Sequence, residues 1–235
     1  MSGAADVRAD ARSSILERIR RVRGLGSEGA GAELASSISE EWDRLPRDYQ
    51  VRGRLDLRAR LDLLESRLRD YDAAVTRVGH VEVARAVGAV LRARGSRATI
   101  VPPGFPEAWR PVGVSLTEDD GLSARALDGF DGVLVTVSVA IAETGTLVLR
   151  HGAGEGRRAL TLVPDFAMCI VRAEDVVETV PEAFARLEGQ GTGPITFVSG
   201  PSATADIEMT RIKGVHGPRF LHVFMVTDDA APDLR

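Results

Sequence analysis

The stretch AAVTRVGHVEVARAVGAVLRARGSRATIV, residues 73–101, decides the fold class. It opens with a short apolar run at 73–78, and a second run follows at 98–101. Between them Val83, Val87 and Val90 recur at the spacing of an amphipathic helix. A strand, a helix and a second strand in this order predict the beginning of a parallel α/β sheet.

A β-rich segment follows in the chain. Valines at every second position make residues 133–142 the clearest predicted strand, and further strands are predicted at 146–149, 159–163 and 167–171. Alternate glycines in 151–156 predict a hairpin loop between two of them. These strands leave no room for a helix, so we expect a meander inserted in the sheet.

The chain then returns to helix over 176–187, with Pro181 starting a second helical segment, and ends with strands at 195–198 and 220–226. The predicted fold class is therefore α/β: a mixed open sheet flanked by helices, with an inserted antiparallel β portion and a helical N-terminal arm.

The arm is predicted over residues 1–70, and the α/β domain over 71–235. Ile15 and Ile19, and later Leu57, Leu61 and Leu64, recur at helical spacing. Between these helices the segment near 24–39 is rich in glycine, serine and alanine, so we expect a flexible linker there.

The composition excludes several classes of protein. Of 235 residues, 44% are hydrophobic and 27% charged, which is typical of globular proteins. A formal net charge of -4 argues against a nucleic-acid binder. No apolar run reaches the length of a membrane span, and the first ten residues lack the apolar segment of a secretory signal. We therefore expect a cytoplasmic protein.

Cofactor motifs are weak in this chain. The letters GLGSEG at 24–29 match G-x-G-x-x-G, but a predicted helix rather than a strand precedes them, so the linker interpretation is favoured. Cys169 is the single cysteine, and the four histidines are dispersed. Since a cluster takes about four thiolates, we expect no iron–sulfur cluster, other cofactor or metal bound by this chain alone.

The first polar cluster is Glu143-Thr144-Gly145-Thr146, at the end of the long predicted strand. Open α/β sheets place reactive groups at the carboxyl ends of strands. Glu143 would there be a nucleophile, a general base or an acceptor that orients a ligand. The alternative is an ordinary turn with a solvated glutamate.

The second cluster directly follows the strand predicted at 195–198 and contains Ser199, Gly200, Ser202, Thr204 and Asp206. Gly200 allows a sharp turn, and the hydroxyls can cap a helical turn that begins near residue 207. Free backbone N–H groups there would hold a phosphate or a carboxylate. The alternative is an N-cap without a ligand.

A third candidate is the loop 213–219, in which His216 lies among two glycines and a proline. His216 would face an anion and titrate near neutrality, or the loop only positions the last strand. Because all three clusters lie at predicted strand ends, we expect them to converge on one cleft. Glu143 and His216 are the catalytic candidates, and the ligand-binding candidates are Thr144, Gly145, Thr146, Ser199, Gly200, Ser202, Thr204, Asp206 and Gly217.

These motifs resemble those of a known family. IAETGTLVL at 141–149, Val163-Pro164, SGPSATADIE at 199–208 and GVHGP at 214–218 are similar in order and spacing to the lactate utilization protein C family, over roughly residues 71–226. The resemblance implies a LUD domain related to the sugar-phosphate isomerase and CoA-transferase group. It also implies two iron–sulfur partner subunits that act with this chain in the oxidation of L-lactate to pyruvate. In the related transferases a glutamate is the acyl nucleophile, and Glu143 is the candidate for that position.

Three functions remain open at this point. The chain is an accessory subunit that binds a small carboxylate or other anion, a stand-alone enzyme acting on a phosphorylated or CoA-linked small molecule, or a non-catalytic assembly subunit whose arm docks onto partners. Catalysis by the chain itself is left open.

Overall fold

The computed structural model describes residues 13–19, 21, 38–46, 49–191, 193–204, 212–213 and 217–227. The chain divides into two compact units, Met1–Tyr49 and Gln50–Arg235. In the first unit, residues 13–19 and 38–44 are helical, and Ile15, Ile19 and Trp42 are exposed. Residues 24–37 of the predicted linker lie outside the described residues.

The second unit is an α/β structure. Its described helices are α1 (Leu57–Asp70), α2 (Val83–Ala93), α3 (Ala124–Leu127) and α4 (Val180–Leu187). Its described strands are β1 (Ala74–Val78), β2 (Thr99–Val101), β3 (Leu116–Glu118), β4 (Gly132–Thr136), β5 (Val139–Ile141), β6 (Thr146–Leu149), β7 (Phe166–Arg172), β8 (Val176–Val177), β9 (Thr196–Val198), β10 (Ala203–Thr204), β11 (Ile212–Lys213) and β12 (Phe220–Val226). No helix of the described part is long and apolar enough to cross a membrane.

The main sheet has the strand order β1-β12-β7-β4-β2-β3, and every neighbouring pair is parallel. A smaller mixed sheet has the order β8-β5-β6-β9, with antiparallel pairs on both sides of β6. The predicted α/β class with an inserted antiparallel portion is thus confirmed.

Both faces of the main sheet are buried. Along β7, Cys169 and Val171 belong to one hydrophobic cluster, while Met168 and Ile170 belong to the other. This alternation follows the two-residue period of a strand. It explains why β7 is apolar along nearly its whole length, as expected for a parallel strand covered on both faces.

Helix α1 covers one face of the main sheet. Asp56 caps its first turn by accepting a hydrogen bond from the Ala59 backbone N–H at 2.8 Å, and Leu61, Leu64 and Leu68 are buried in the core cluster. The sequence predicted this helix in the arm. The structure places it in the α/β body, since its leucine stripe packs against the sheet.

The long predicted strand at 133–142 is interrupted. It forms β4 in the main sheet and β5 in the small sheet, and the chain changes sheets at Val137 and Ser138. The Val137 backbone N–H donates to the Ile170 carbonyl of β7 at 3.1 Å, and that of Ser138 donates to Val148 of β6 at 3.1 Å. The strict alternation did not reveal this break because both faces of β4 and β5 are buried.

Two other predicted elements are wrong. The strand predicted at 159–163 is instead a 3-10 turn at Arg158–Thr161, which leads from the glycine-rich loop into β7. The helix predicted from residue 176 begins at Val180, because Thr179 and Glu182 form a capping box there, and Val176–Val177 pairs with β5 as β8.

The segment before α1 is held by two carboxylates. Glu178 accepts hydrogen bonds from the backbone N–H groups of Arg54 and Leu55, both at 2.6 Å. Glu182 accepts one from Gly53 at 3.0 Å. Glu178 is buried, so these bonds fix the chain where it enters α1.

Gly53→Ala tests this attachment. A Cβ at Gly53 would overlap the Cβ and the carboxylate of Glu178, so we expect the free energy of unfolding to fall by about 1–3 kcal/mol in urea titrations. Gly193→Ala is the control, because its Cβ would meet open space. Equal stability of the two variants would contradict the packing described for Gly53.

His222 makes stability depend on pH. Burial, with Arg94 and Arg69 nearby, lowers the pKa of His222 from 6.5 to about 4. Between these values the unfolded chain binds the proton more readily, so stability falls as pH falls from about 6.5 to about 4. Since His222 is partly exposed, we expect its share of the loss to be on the order of 1–2 kcal/mol. Urea titrations across this range should show a shallower fall for His222→Gln, and an unchanged slope would contradict this assignment.

Candidate functional site

The carboxyl ends of the main-sheet strands form a cleft between β2 and β4. After β2 the next strand in the chain is β3 at the sheet edge, whereas after β4 the next strand of the main sheet is β7, on the other side of β4. Neighbouring strands that lead in opposite directions create the crevice in which open α/β sheets bind ligands. The cleft here has a volume of about 470 Å³, within the usual range for small-molecule sites.

One wall of the cleft holds a buried carboxylate. Glu155 is 7% exposed and accepts hydrogen bonds from the Ser138 hydroxyl and from the Arg150 backbone N–H. Ser138 is the residue at which the chain enters β5. Both Ser138 and Glu155 line the cleft.

The loop that carries Glu155 is fixed to the main sheet. The Thr136 backbone N–H donates to Gly154 at 2.8 Å, and the Gly154 N–H donates to Pro103 at 2.9 Å. Gly154 has a φ of 77°, and a Cβ there would lie 2.7 Å from the Thr136 hydroxyl. Because only glycine fits this position without strain, the glycines of this loop place Glu155 at the end of β4.

Two arginines also line the cleft. Arg172 Nε lies 2.7 Å from one oxygen of the buried Asp175, and Arg186 lies 3.7 Å from the other. Both side chains line the cleft and are 53% and 41% exposed. Arg172 Nε also lies 3.4 Å from Glu174. Since each guanidinium group has five N–H donors, the two arginines still have donors left for an anionic ligand.

The predicted Glu-Thr-Gly-Thr cluster forms the turn between β5 and β6. Glu143 is exposed. The Thr146 hydroxyl is buried and lies 2.7 Å from that of Thr144 and 2.8 Å from that of Ser199. The structure therefore brings together three of the predicted ligand-binding hydroxyls, in a chain of hydrogen bonds.

The predicted glycines lie against α1 and the loop before β12. Gly145 and Gly200 have φ values of 62° and 85°, and a Cβ at either would meet Arg67 or Tyr71, at the end of α1. Ser202 donates its backbone N–H to Pro218 at 2.8 Å, and a Cβ at Gly217 would lie 3.4 Å from that of Ser202. Thr204 pairs with Ile212 in the sheet of β10 and β11. Asp206 and His216 lie outside the described residues.

The predicted cluster and the cleft lie at opposite ends of the small sheet. Glu143 follows β5 and Ser138 precedes it, so they are roughly 16 Å apart along an extended chain. The loop at Ser202 and Pro218 precedes β12 and lies at the amino end of the main sheet, whereas the cleft lies at its carboxyl end. The catalytic roles of Glu143 and His216 stay predictions.

The sequence analysis missed Ser138 and Glu155. They lie 17 residues apart and form no short motif. The available signal is the pair Gly154 and Gly156 on either side of Glu155. The sequence analysis interprets these glycines only as part of a hairpin loop. A glycine-rich loop that returns to the end of a strand would have indicated this site.

A second cleft, of about 540 Å³, lies beside Asp119 and Arg157. Hydrogen bonds from Arg157 lower the pKa of Asp119, which also accepts from the backbone at Leu122. His151 is hydrogen-bonded through both ring nitrogens, to Gly156 and Thr196 at 2.8 Å each. Because these groups are paired with one another, the arrangement fits a structural role.

Metal and thiol chemistry have little support in the described part. No group of three or more histidine, cysteine or acidic side chains placed to hold a metal ion occurs among the described residues. Cys169 is buried, and burial raises its pKa to about 12. Its thiol therefore stays protonated at neutral pH and packs in the core as predicted.

Comparisons with known proteins agree with the sequence motifs. The model of the LUD domain matches residues 115–226. A protein of Deinococcus radiodurans named lactate utilization protein C is 46% identical over 183 residues, which are 76% of this chain and 84% of that protein. The chain belongs to the lactate utilization protein C family.

Other members and a solved structure extend this result. The lactate utilization protein C of Shouchella clausii is 38% identical over 96 residues, covering 39% of this chain and 41% of that protein. The crystal structure of a DUF162 family protein from Deinococcus radiodurans has a TM-score of 0.66 and 39% identity, and it covers 74% of this chain and all of that chain. The family and the α/β fold are thus shared with this structure.

Thr146→Val tests the hydroxyl chain at the turn. The change keeps the shape but leaves Thr144 and Ser199 without their shared partner, so we expect a loss of about 1 kcal/mol in the free energy of unfolding. Thr117→Val on the exposed edge strand β3 is the control and should change stability by less than about 0.5 kcal/mol. A Thr146→Val protein as stable as the control would show that these bonds are not needed for the fold.

Proposed function

We propose that the chain is a component of a cytoplasmic system for L-lactate utilization and that it binds a small carboxylate in the cleft at the carboxyl end of the main sheet. The names of its relatives in Deinococcus radiodurans and Shouchella clausii support the lactate role. Membership of the family supports the same conclusion.

The cleft carries the ligand-binding part of the proposal. Arg172 and Arg186 supply hydrogen-bond donors for a carboxylate, and Glu155 with Ser138 forms a second polar centre in the lining of the same cleft. The lining also includes Val139 and Leu187, which are apolar, and Trp109, whose indole Nε1–H is buried and has no hydrogen-bond partner among the described residues. A cleft with a few convergent polar groups on apolar walls is typical of small-molecule sites.

Electron transfer in this system is assigned to partners. The family resemblance implies two iron–sulfur subunits, and Cys169, the single cysteine, is buried with a raised pKa. The chain would contribute ligand binding while those subunits carry electrons. The first unit, with its exposed Ile15, Ile19 and Trp42, is the candidate surface for contact with them.

The turn at Glu143 and the loop at His216 are a rival place for the ligand. At the turn, the hydroxyls of Thr144, Thr146 and Ser199 already bond to one another. The two sites are distinguished by substitution, since Glu143→Gln would leave the carboxyl-end cleft intact and Arg172→Gln would leave the turn intact.

Ligand binding is tested by calorimetric titration of L-lactate and by the melting temperature in its presence. A ligand that binds only the folded state raises the melting temperature. We expect this for the native chain, and at least about tenfold weaker binding for Arg172→Gln combined with Arg186→Gln, because charge-assisted bonds are lost. Arg125→Gln, on the exposed helix α3, is the matched control. Undiminished binding by the double variant, with loss in Glu143→Gln, would move the ligand to the turn.

The lactate role is tested by growth. A strain without this gene should fail to grow on L-lactate as sole carbon source, and the native gene should restore growth. Normal growth of the deletion strain, with no second copy of the gene, would refute the role in lactate utilization. The hypothesis that the chain is a stand-alone enzyme acting on a phosphorylated or CoA-linked small molecule would then be preferred.

A further inference from the structure

The hydrogen bond between Ser138 and Glu155 in the cleft has a defined donor and acceptor. The Ser138 hydroxyl donates its hydrogen to one oxygen of Glu155, and the Arg150 backbone N–H donates to the other. An ionised carboxylate is acceptor-only, and a hydroxyl that has donated its single hydrogen has only lone pairs left. These two groups, Glu155 and Ser138, therefore offer a ligand acceptors alone, and Trp109 Nε1–H, elsewhere in the lining, is a donor without a partner in the described part of the chain.

Neither arginine forms an ion pair with Glu155. Arg172 and Arg186 are paired with Asp175, and Arg172 also with Glu174, whereas Glu155 accepts hydrogen bonds from a hydroxyl and a backbone N–H. Glu155 is also 7% exposed, so the surrounding protein strengthens its electrostatic effect relative to that in water. A ligand atom placed here must bring a hydrogen, because a second acceptor would face uncompensated negative charge.

We propose that Glu155, which Ser138 helps to hold in place, is a specificity-determining residue that selects a ligand bearing a hydrogen-bond donor beside its carboxylate, so that the cleft binds a 2-hydroxy acid in preference to the corresponding 2-keto acid. This inference rests on the proposed function of the cleft. The carboxylate common to both acids binds to Arg172 and Arg186, and the adjacent oxygen decides between them. A hydroxyl donates to Glu155, whereas a ketone oxygen cannot.

The expected difference in affinity between lactate and pyruvate corresponds to one hydrogen bond, which lactate forms with Glu155 and pyruvate does not. A site built to hydrogen-bond a hydroxyl discriminates strongly against an analogue without it, because the buried polar groups stay unpaired. We expect L-lactate to bind at least about tenfold more tightly than pyruvate, a conservative value for one bond to a charged group.

Glu155→Gln makes the side chain at position 155 the donor to Ser138, instead of the acceptor, with little change in shape. The glutamine oxygen can still accept from Arg150, and its NH₂ group can donate to Ser138. The Ser138 hydroxyl is then free to turn its hydrogen into the cleft, which provides a donor for a ketone oxygen. The preference for lactate over pyruvate should fall to about one or invert.

The experiment is calorimetric titration of L-lactate and pyruvate, separately, into the full native chain, Glu155→Gln, Ser138→Ala and Glu188→Gln. Glu188 is exposed beyond α4 and outside the cleft, so its variant should keep the native ratio of affinities. Ser138→Ala leaves the carboxylate in place and should retain a preference for lactate. It serves as the second probe if Glu155→Gln does not fold, which melting curves will show.

The outcomes separate the two proposals. A native preference for lactate that Glu155→Gln abolishes supports the selective centre. Equal native affinities, or a preference that Glu155→Gln leaves unchanged, would overturn the inference while leaving the cleft as a carboxylate site. If Glu155→Gln does not fold, a Ser138→Ala chain that prefers pyruvate would overturn it. Absence of binding by either acid would overturn the proposed ligand and the inference with it.

Discussion

A parallel sheet is stable only when helices or another sheet cover both of its faces, and the rest of this structure depends on that requirement. Alternate residues of β7 enter two separate hydrophobic clusters, so neither face can be left in water. Helix α1 covers one face with three leucines, and α2 covers the other with Val83, Val87 and Leu91. This demand draws α1 into the α/β body, and the carboxylates of Glu178 and Glu182 then fix the segment leading to it.

The change of sheets at Ser138 follows from the same packing and produces the cleft. The chain leaves β4 at the carboxyl end of the main sheet and enters β5 in the small sheet, which packs beside it. The backbone between the two strands finds its hydrogen-bond partners in β7 and β6. A cavity forms at this junction because the chain leads away from β2 and β4 in opposite directions. The loop carrying Glu155 lines this cavity at the end of β4.

The sequence predicted those parts of the fold whose signal is local. The strand–helix–strand unit and the strands β7 and β12 appear near the predicted positions, because their apolar runs end at polar or glycine residues. The interruption of 133–142 was not predictable, since a two-residue period says nothing about where one sheet ends when both faces are buried. The leucines of α1 showed an apolar face, but an amphipathic pattern does not identify what covers it.

The candidate site, too, could be predicted from the sequence only where its residues form local motifs. Thr146 and Ser199 were singled out as neighbouring polar groups in motifs, and the structure does bring their hydroxyls to 2.8 Å. Ser138 and Glu155 escaped notice because a serine within a strand and a glutamate among glycines carry no pattern that links them. Their proximity depends on the hydrogen bonds between Gly154, Thr136 and Pro103, which join three separate segments.

The two ends of the small sheet therefore serve different physical purposes. At the Glu143 end, hydroxyls bond to one another and glycines admit the end of α1, so the polar groups there are largely used within the protein. At the Ser138 end, a buried carboxylate and a hydroxyl line a cavity and keep acceptor lone pairs available, and two guanidinium groups line the same cavity. Burying a carboxylate away from a cation costs free energy, which the hydrogen bonds from Ser138 and Arg150 offset in part. A ligand that supplies a further donor would fit this arrangement, which is the reason for proposing the ligand site at the carboxyl end of the sheet.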